Sequence, residues 1–164
     1  MAVLDFNESY TFSQIFGLNA EVDDIVADFG YSLARSRLNL PGYEGKLERL
    51  QELQDRINEI LPFVSLTTEM ARREILISRV VTELVHYTQA QLRIEYPLKI
   101  SEQLQGSLDY LLRTDTQIIV IEAKKEDLTN GFKQLAAEMI ALDQWMDSSQ
   151  EQLIGAVTTG ILWQ

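Results

Sequence analysis

Apolar residues recur at helical spacing over the first half of the chain and at strand spacing over much of the second. Over residues 21–38, "EVDDIVADFGYSLARSRL", Val22, Ile25, Val26, Phe29, Leu33 and Ala34 fall three and four apart, and acids open the segment where they suit a helix dipole. A helix is expected there, broken by Pro41, Gly42 and Gly45. From Glu44 to Ile60 a second helical stripe runs through Leu47, Leu50, Leu53, Ile57 and Ile60 and stops at Pro62. The aromatic stretch "YTFSQIF", residues 10–16, reads either as a brief strand or as a plug against the core. These segments form an N-terminal helical extension, residues 1–67, packed on a core at 68–164.

Thr67 or Thr68 can cap a long helix, "EMARREILISRVVTELVHYTQAQL". The period then changes. "RIEYPLKI", "LQGSLDYLL" and "QIIVIEAK" are short runs rich in branched and aromatic residues, hence three strands. Pro97 puts the first of them at a sheet edge or a bulge. "TNGFKQLAAEMIALDQWMDSS" returns to helix, with Phe132, Leu135, Met139, Leu142 and Met146 on one face, and "LIGAVTTGILWQ" is a final strand. A strand, a crossover helix and a further strand are normally right-handed and parallel, so the last strand belongs beside "QIIVIEAK". The expected fold is α/β, a mixed four-stranded central sheet in αβββαβ order.

Composition narrows the chemistry. The chain has 164 residues and no cysteine, which removes disulfides, thiolate metal sites and thiol nucleophiles. A single histidine, His86, removes histidine clusters. No apolar run reaches the roughly 18 residues of a membrane span, and "MAVLDFNESY" lacks the basic and apolar regions of a signal peptide. A soluble, cytoplasmic chain without membrane contact is expected. Fourteen basic against 25 acidic residues give a net charge of −11, which works against nonspecific attraction to nucleic acid.

The stretch "IIVIEAKKED" drives four branched apolar residues into Glu122 and Lys124. If Arg113–Thr116 forms the turn of a hairpin, Leu112 faces Gln117, Asp109 faces Val120 and Ser107 faces Glu122. Side chains alternate along a strand, so Ser107, Asp109, Val120, Glu122 and Lys124 share one face. Asp109 and Glu122 become diagonal neighbours about 7–8 Å apart, a span that two carboxylates close around one ion. Two adjacent carboxylates repel unless one takes a proton or a cation neutralises them. With only oxygen ligands to offer, that cation is Mg²⁺ or Mn²⁺. A lysine alongside can orient a water and stabilise charge building on a phosphoryl group.

"GSLDYLL", a short gap and "IIVIEAKK" resemble the PD-(D/E)XK phosphodiesterase superfamily, the restriction endonuclease-like fold. The resemblance covers residues 68–164. It implies that Asp109 is the motif's aspartate and Glu122-Ala123-Lys124 its acid-x-lysine element, with the Ala123 carbonyl as a further metal ligand. It also gives Glu83, on the helix before the sheet, as an optional ligand and Gln134, on the helix after it, as the group that orients Lys124 or the water. Leu108 stands where the motif's name has proline. The rival reading of Glu83 is an ordinary surface glutamate, and that of Glu122 with Lys124 a solvated ion pair at a strand end.

The expected function is divalent-metal-dependent hydrolysis of phosphodiester bonds in nucleic acid, DNA first. A homodimer would gather the few arginines along one groove. The alternatives are a catalytically silent, protein-binding regulatory subunit of the same fold, and a nuclease subunit that acts only with a separate DNA-targeting protein. Arg72, Arg73 and Arg79 are candidates for phosphate contacts or for pairing with the abundant acids.

Overall fold

The computed structural model describes residues 2–146 and 152–164. Four strands form one sheet in the order β1-β2-β3-β4: β1 is Gln91–Lys99, β2 Gln105–Arg113, β3 Gln117–Ala123 and β4 Gln152–Thr158. The first two pairings are antiparallel, and β3–β4 is parallel. β1 lies at the edge, where Pro97 withholds no needed ladder donor. The mixed α/β architecture and the parallel placement of the last strand agree with the hydropathy pattern.

Helices cover both faces. The helix that precedes the sheet is built from α4 (Glu69–Arg72), a π-helical turn (Arg73–Ile77) and α5 (Ser78–Thr88). Thr68 caps it through a hydrogen bond accepted from the Ala71 N–H. Ile77 and Val81 pack against Tyr110, Leu112, Ile121 and Ala123 on one side of the sheet. On the other side α6, Leu128–Trp145, supplies Leu135, Ala141 and Leu142 against Leu111, Ile118, Val120 and Val157. β3 is therefore buried on both faces, which is why it reads as an unbroken apolar run until Glu122.

Residues 10–16 are the plug rather than the strand, and the plug is helical. Thr11 and Gln14 form a capping box for α1, Phe12–Phe16, and Phe12 and Ile15 enter the core beside α6. Gly106, at φ +151°, admits this contact, since a Cβ there would stand 2.7 Å from Phe12 Cδ2. α2, Val22–Asp28, adds Ile25 and Val26 to the same core.

The helix expected over 21–38 stops at Asp28, because Phe29 and the left-handed Gly30 end it, and after half-buried Tyr31 the residues through 38 are exposed and without regular structure. The helix expected from Glu44 begins only at Leu50 and runs to Ile60 as α3. Leu47 is 45% exposed, so the stripe that suggested an earlier start has nothing to pack on. On α6 the expected face is also corrected. Phe132 is exposed, while Gly131, Gln134, Leu135, Glu138, Ala141 and Leu142 are buried. The end of that expected helix, residues 147–149, lies outside the described residues. Among the described residues no helix is long and apolar enough to cross a membrane.

Gly131 sets how closely α6 approaches the end of the sheet. A Cβ there would meet Val157 Cγ2 at 2.7 Å and Lys124 Cγ at 3.3 Å. Gly131→Ala should therefore cost about 1–2 kcal/mol in urea unfolding, the overpacking outweighing the gain in helix propensity.

Candidate active site

The β2–β3 turn is shorter than the sequence count assumed. The Thr114 N–H donates to the Gln117 carbonyl at 2.9 Å and the Gln117 N–H to Thr114 Oγ1 at 3.1 Å, leaving only Asp115 and Thr116 in the loop. Leu112 accordingly pairs with Ile119 instead of Gln117, and Tyr110 with Ile121. Continued by one residue, this register sets Asp109 across from Glu122, where Ser107 was expected. A slip of two residues by itself moves no side chain across the sheet, and it brings Asp109 level with Glu122.

Asp109 sits where the strand pair changes face. Tyr110 and Leu112 pack on the α5 side, but Leu108 packs on the α6 side, which strict alternation forbids. β1 changes in step, with Leu92 on the α5 side and Tyr96 and Leu98 on the other. Between them Glu95 adopts left-handed backbone at φ +51°, and neither Glu95 nor Asp109 belongs to the ladder. The Asp109 carboxylate takes over a ladder role instead, Oδ2 accepting the Ala123 N–H at 2.8 Å.

Glu122, Lys124 and Gln134 close a triangle. Lys124 Nζ lies 2.6 Å from Glu122 Oε1 and donates to Gln134 Oε1 at 2.9 Å. Gln134 Nε2 donates to Glu122 Oε1 at 2.7 Å and to Glu138 Oε1 at 2.9 Å. With both amide protons and the carbonyl engaged, Gln134 has one sensible orientation. Lys124 is held at its root by its N–H on the Thr158 carbonyl and at its tip by the Phe16 ring, whose centroid is 4.9 Å from Nζ.

Glu138 is the member that the sequence reading missed. It is fully buried, four residues after Gln134 on the inward stripe of α6. An acid inside "QLAAEMIAL" on the core face was the available signal. Glu122 Oε2 and Glu138 Oε2 are both buried without a hydrogen-bond partner among the described residues. Burial, then the Asp109 charge, pushes the Glu122 carboxyl up to about 7 although Lys124 pulls it down. Burial, then repulsion from Glu122, raises the Glu138 carboxyl well above its ordinary value. Burial also raises Asp109, against the Ala123 N–H and the Arg73 charge.

Arg73 occupies the other side of Asp109. Its Nη1 lies 3.3 Å from Asp109 Oδ1 and 2.6 Å from Glu95 Oε1, and the guanidinium stands over the Tyr110 ring at 5.5 Å. Of the three candidate arginines, Arg73 thus pairs with acids, and Arg72 donates to the Thr159 carbonyl. Glu83 stands apart from the cluster. It pairs with Arg49 at 2.7 Å and lines a cleft with Arg56 and Arg79, so its place on the helix before the sheet does not bring it to Asp109 or Glu122. His86 faces Glu48 at 3.2 Å. Asp127 caps α6 through the Asn130 N–H.

Among the described residues no three acids or histidines are grouped as a ready-made metal site. A hard cation does not require three, since Mg²⁺ is commonly held by one or two carboxylates with water and substrate oxygens completing the shell. The donors fit that pattern. Asp109 stands level with Glu122 in the register of the hairpin, Glu122 Oε2 lacks a partner among the described residues, and Arg73 and Lys124 supply the positive charge beside the two carboxyls. Comparison of the chain with protein-family models, with curated proteins and with solved structures finds no match.

Proposed function

We propose that the chain is a divalent-metal-dependent nuclease that hydrolyses phosphodiester bonds, with DNA as the first substrate to test. The observation that carries this reading is the convergence of Glu122, Lys124 and Gln134 into one buried polar cluster, with Asp109 beside it on the Ala123 N–H. A solvated ion pair at a strand end would leave these groups in water, whereas Glu122 is 2% exposed and Gln134 5%. The order helix, three strands, helix, strand is also that of the restriction endonuclease-like core, and it supports the resemblance carried by "GSLDYLL" and "IIVIEAKK".

In this reading Asp109 and Glu122 hold Mg²⁺ or Mn²⁺, with the Ala123 carbonyl beside them. When bound, the ion supplies Lewis-acid polarisation of the scissile phosphate and offsets its charge. The Lys124 ammonium stabilises negative charge on the phosphoryl oxygens as the bond breaks. Gln134 fixes the Lys124 tip, and Glu138 fixes Gln134.

One set of observations favours a second reading, a silent subunit of the same architecture that binds protein: Arg73 covers Asp109, and the net charge is −11. Cleavage assays on linear, branched and single-stranded DNA and on RNA, with Mg²⁺, Mn²⁺ or chelator, separate the two. Metal-dependent cleavage that Glu122→Gln reduces by about 10²-fold or more supports the nuclease. Metal binding without cleavage points to a subunit that needs a DNA-targeting partner, and neither binding nor cleavage to the silent protein.

A further inference from the structure

Arg73 is held more firmly than a surface arginine would be, and by a local distortion of the helix. The Ser78 N–H bonds to the Arg73 carbonyl, five residues back, which defines the π-turn, and such turns are frequent where a helix presents a functional side chain. The side chain is 13% exposed, and one nitrogen, Nη1, serves both Asp109 Oδ1 and Glu95 Oε1. Nε is buried with no partner among the described residues. Glu95 in turn is aimed by its left-handed backbone, at a position where the ladder is interrupted. The contact is thus built from two irregularities, one in the helix and one in the edge strand. The two bonds of Nη1 are unequal: the one to Glu95, 53% exposed, is 2.6 Å, and the one to buried Asp109 is 3.3 Å.

We propose that Arg73 is the resident counter-ion of Asp109 and that a divalent cation enters by displacing it, the guanidinium withdrawing onto Glu95. This inference rests on the metal-dependent reading above and adds a gate to it. Guanidinium and metal carry the same sign, so both sit on Asp109 Oδ1 only against their mutual repulsion, and the arrival of one weakens the hold of the other. Burial opposes the Arg73 charge, yet Asp109 and Glu95 outweigh it and keep the group protonated, so Arg73 leaves only by moving, not by losing its proton. Glu95 provides the place to go, since it already holds the same nitrogen at shorter range. Loading is then an exchange of one cation for another, and affinity is set by the difference between the two.

The test is calorimetric titration of the full chain with Mn²⁺, with thermal unfolding run on each variant. Arg73→Met, which removes the charge and keeps the stem, should bind Mn²⁺ on the order of tenfold more tightly than the parent, as expected when a competing ligand is removed. Arg73→Lys, still charged, should show little of that gain. A second measurement needs no loss of structure. In ¹⁵N spectra of the unaltered chain, the Arg73 side-chain resonance, assigned by its disappearance in Arg73→Lys, should shift as Mg²⁺ is added. Unchanged or weaker affinity in folded Arg73→Met, or an Arg73 resonance indifferent to Mg²⁺ that calorimetry shows to be bound, overturns the exchange while leaving metal dependence standing. Absence of Mn²⁺ binding in the parent and in every variant overturns both.

Discussion

In Lys124→Ala, Mg²⁺-dependent cleavage is expected to fall by about 10²–10³-fold, the usual loss when one preorganised charge stabiliser is removed from a hydrolytic site. The substitution removes the only ammonium that touches Glu122 and Gln134 in the described cluster. Breaking a buried pair would ordinarily cost about 3–5 kcal/mol. Here Glu122 already sits at about 7 and rises further without Lys124, so it escapes most of that cost by taking a proton. Far-UV circular dichroism should therefore remain native while the initial rate collapses. Lys124→Met, which removes the ammonium and keeps an unbranched stem, should behave in the same way. Activity within a few fold of the parent in either variant would remove Lys124 from the chemistry.

The second large effect is on stability against pH, and its direction is unusual. Glu122 is raised from 4.5 to about 7 in the folded chain, so between those values the folded state holds a proton that the unfolded state has released. Its contribution is fully present below pH 4.5 and is lost as pH rises through 7, roughly 3 kcal/mol over the window. Glu138 is raised as well and adds to the loss as pH rises. The lowered carboxyls, Asp23, Glu48, Glu102 and Asp127, act in the opposite sense but are fully exposed and count for little.

The metal-free chain should thus melt about 5–10 °C lower at pH 8 than at pH 5. Glu138→Gln replaces the repelling carboxyl by an amide that can still accept from Gln134 and can donate to Glu122. Its melting temperature at pH 8 should rise by several degrees, and its pH slope should flatten. Parallel slopes in the two proteins would show that Glu138 carries no charge burden.

Much of this architecture was legible because β3 is an unbroken run of branched residues and α6 a helical pattern long enough to survive one misplaced face residue. The strands and the last crossover follow from the pattern, and an even error of two residues in the turn leaves Asp109 level with Glu122, but the change of face at Asp109 takes their relation out of simple alternation. The early helices were less legible. Leu33 and Leu47 each belong to a helical stripe but have no partner surface, and periodicity does not register what a stripe packs on. The change of face at Glu95 and Asp109 was invisible for a different reason, since it depends on a left-handed residue that is neither glycine nor asparagine. Glu138 was hidden by the habit of treating acids on helices as solvated, although its neighbours in sequence are alanine and methionine.

The ring of Phe16 resting on the Lys124 tip ties the earliest part of the chain to the chemistry. α1 and α2 insert Phe12, Ile15, Ile25 and Val26 beside α6, each contributing roughly 1.5–3 kcal/mol on burial, and the same short helix carries the aromatic wall of the ammonium. A shortened protein beginning at Thr68 would retain every residue of the recognisable motif, yet its lysine would be bare to water on one side and its long helix stripped of a flank. The stretch with no motif in it is what keeps the motif dry.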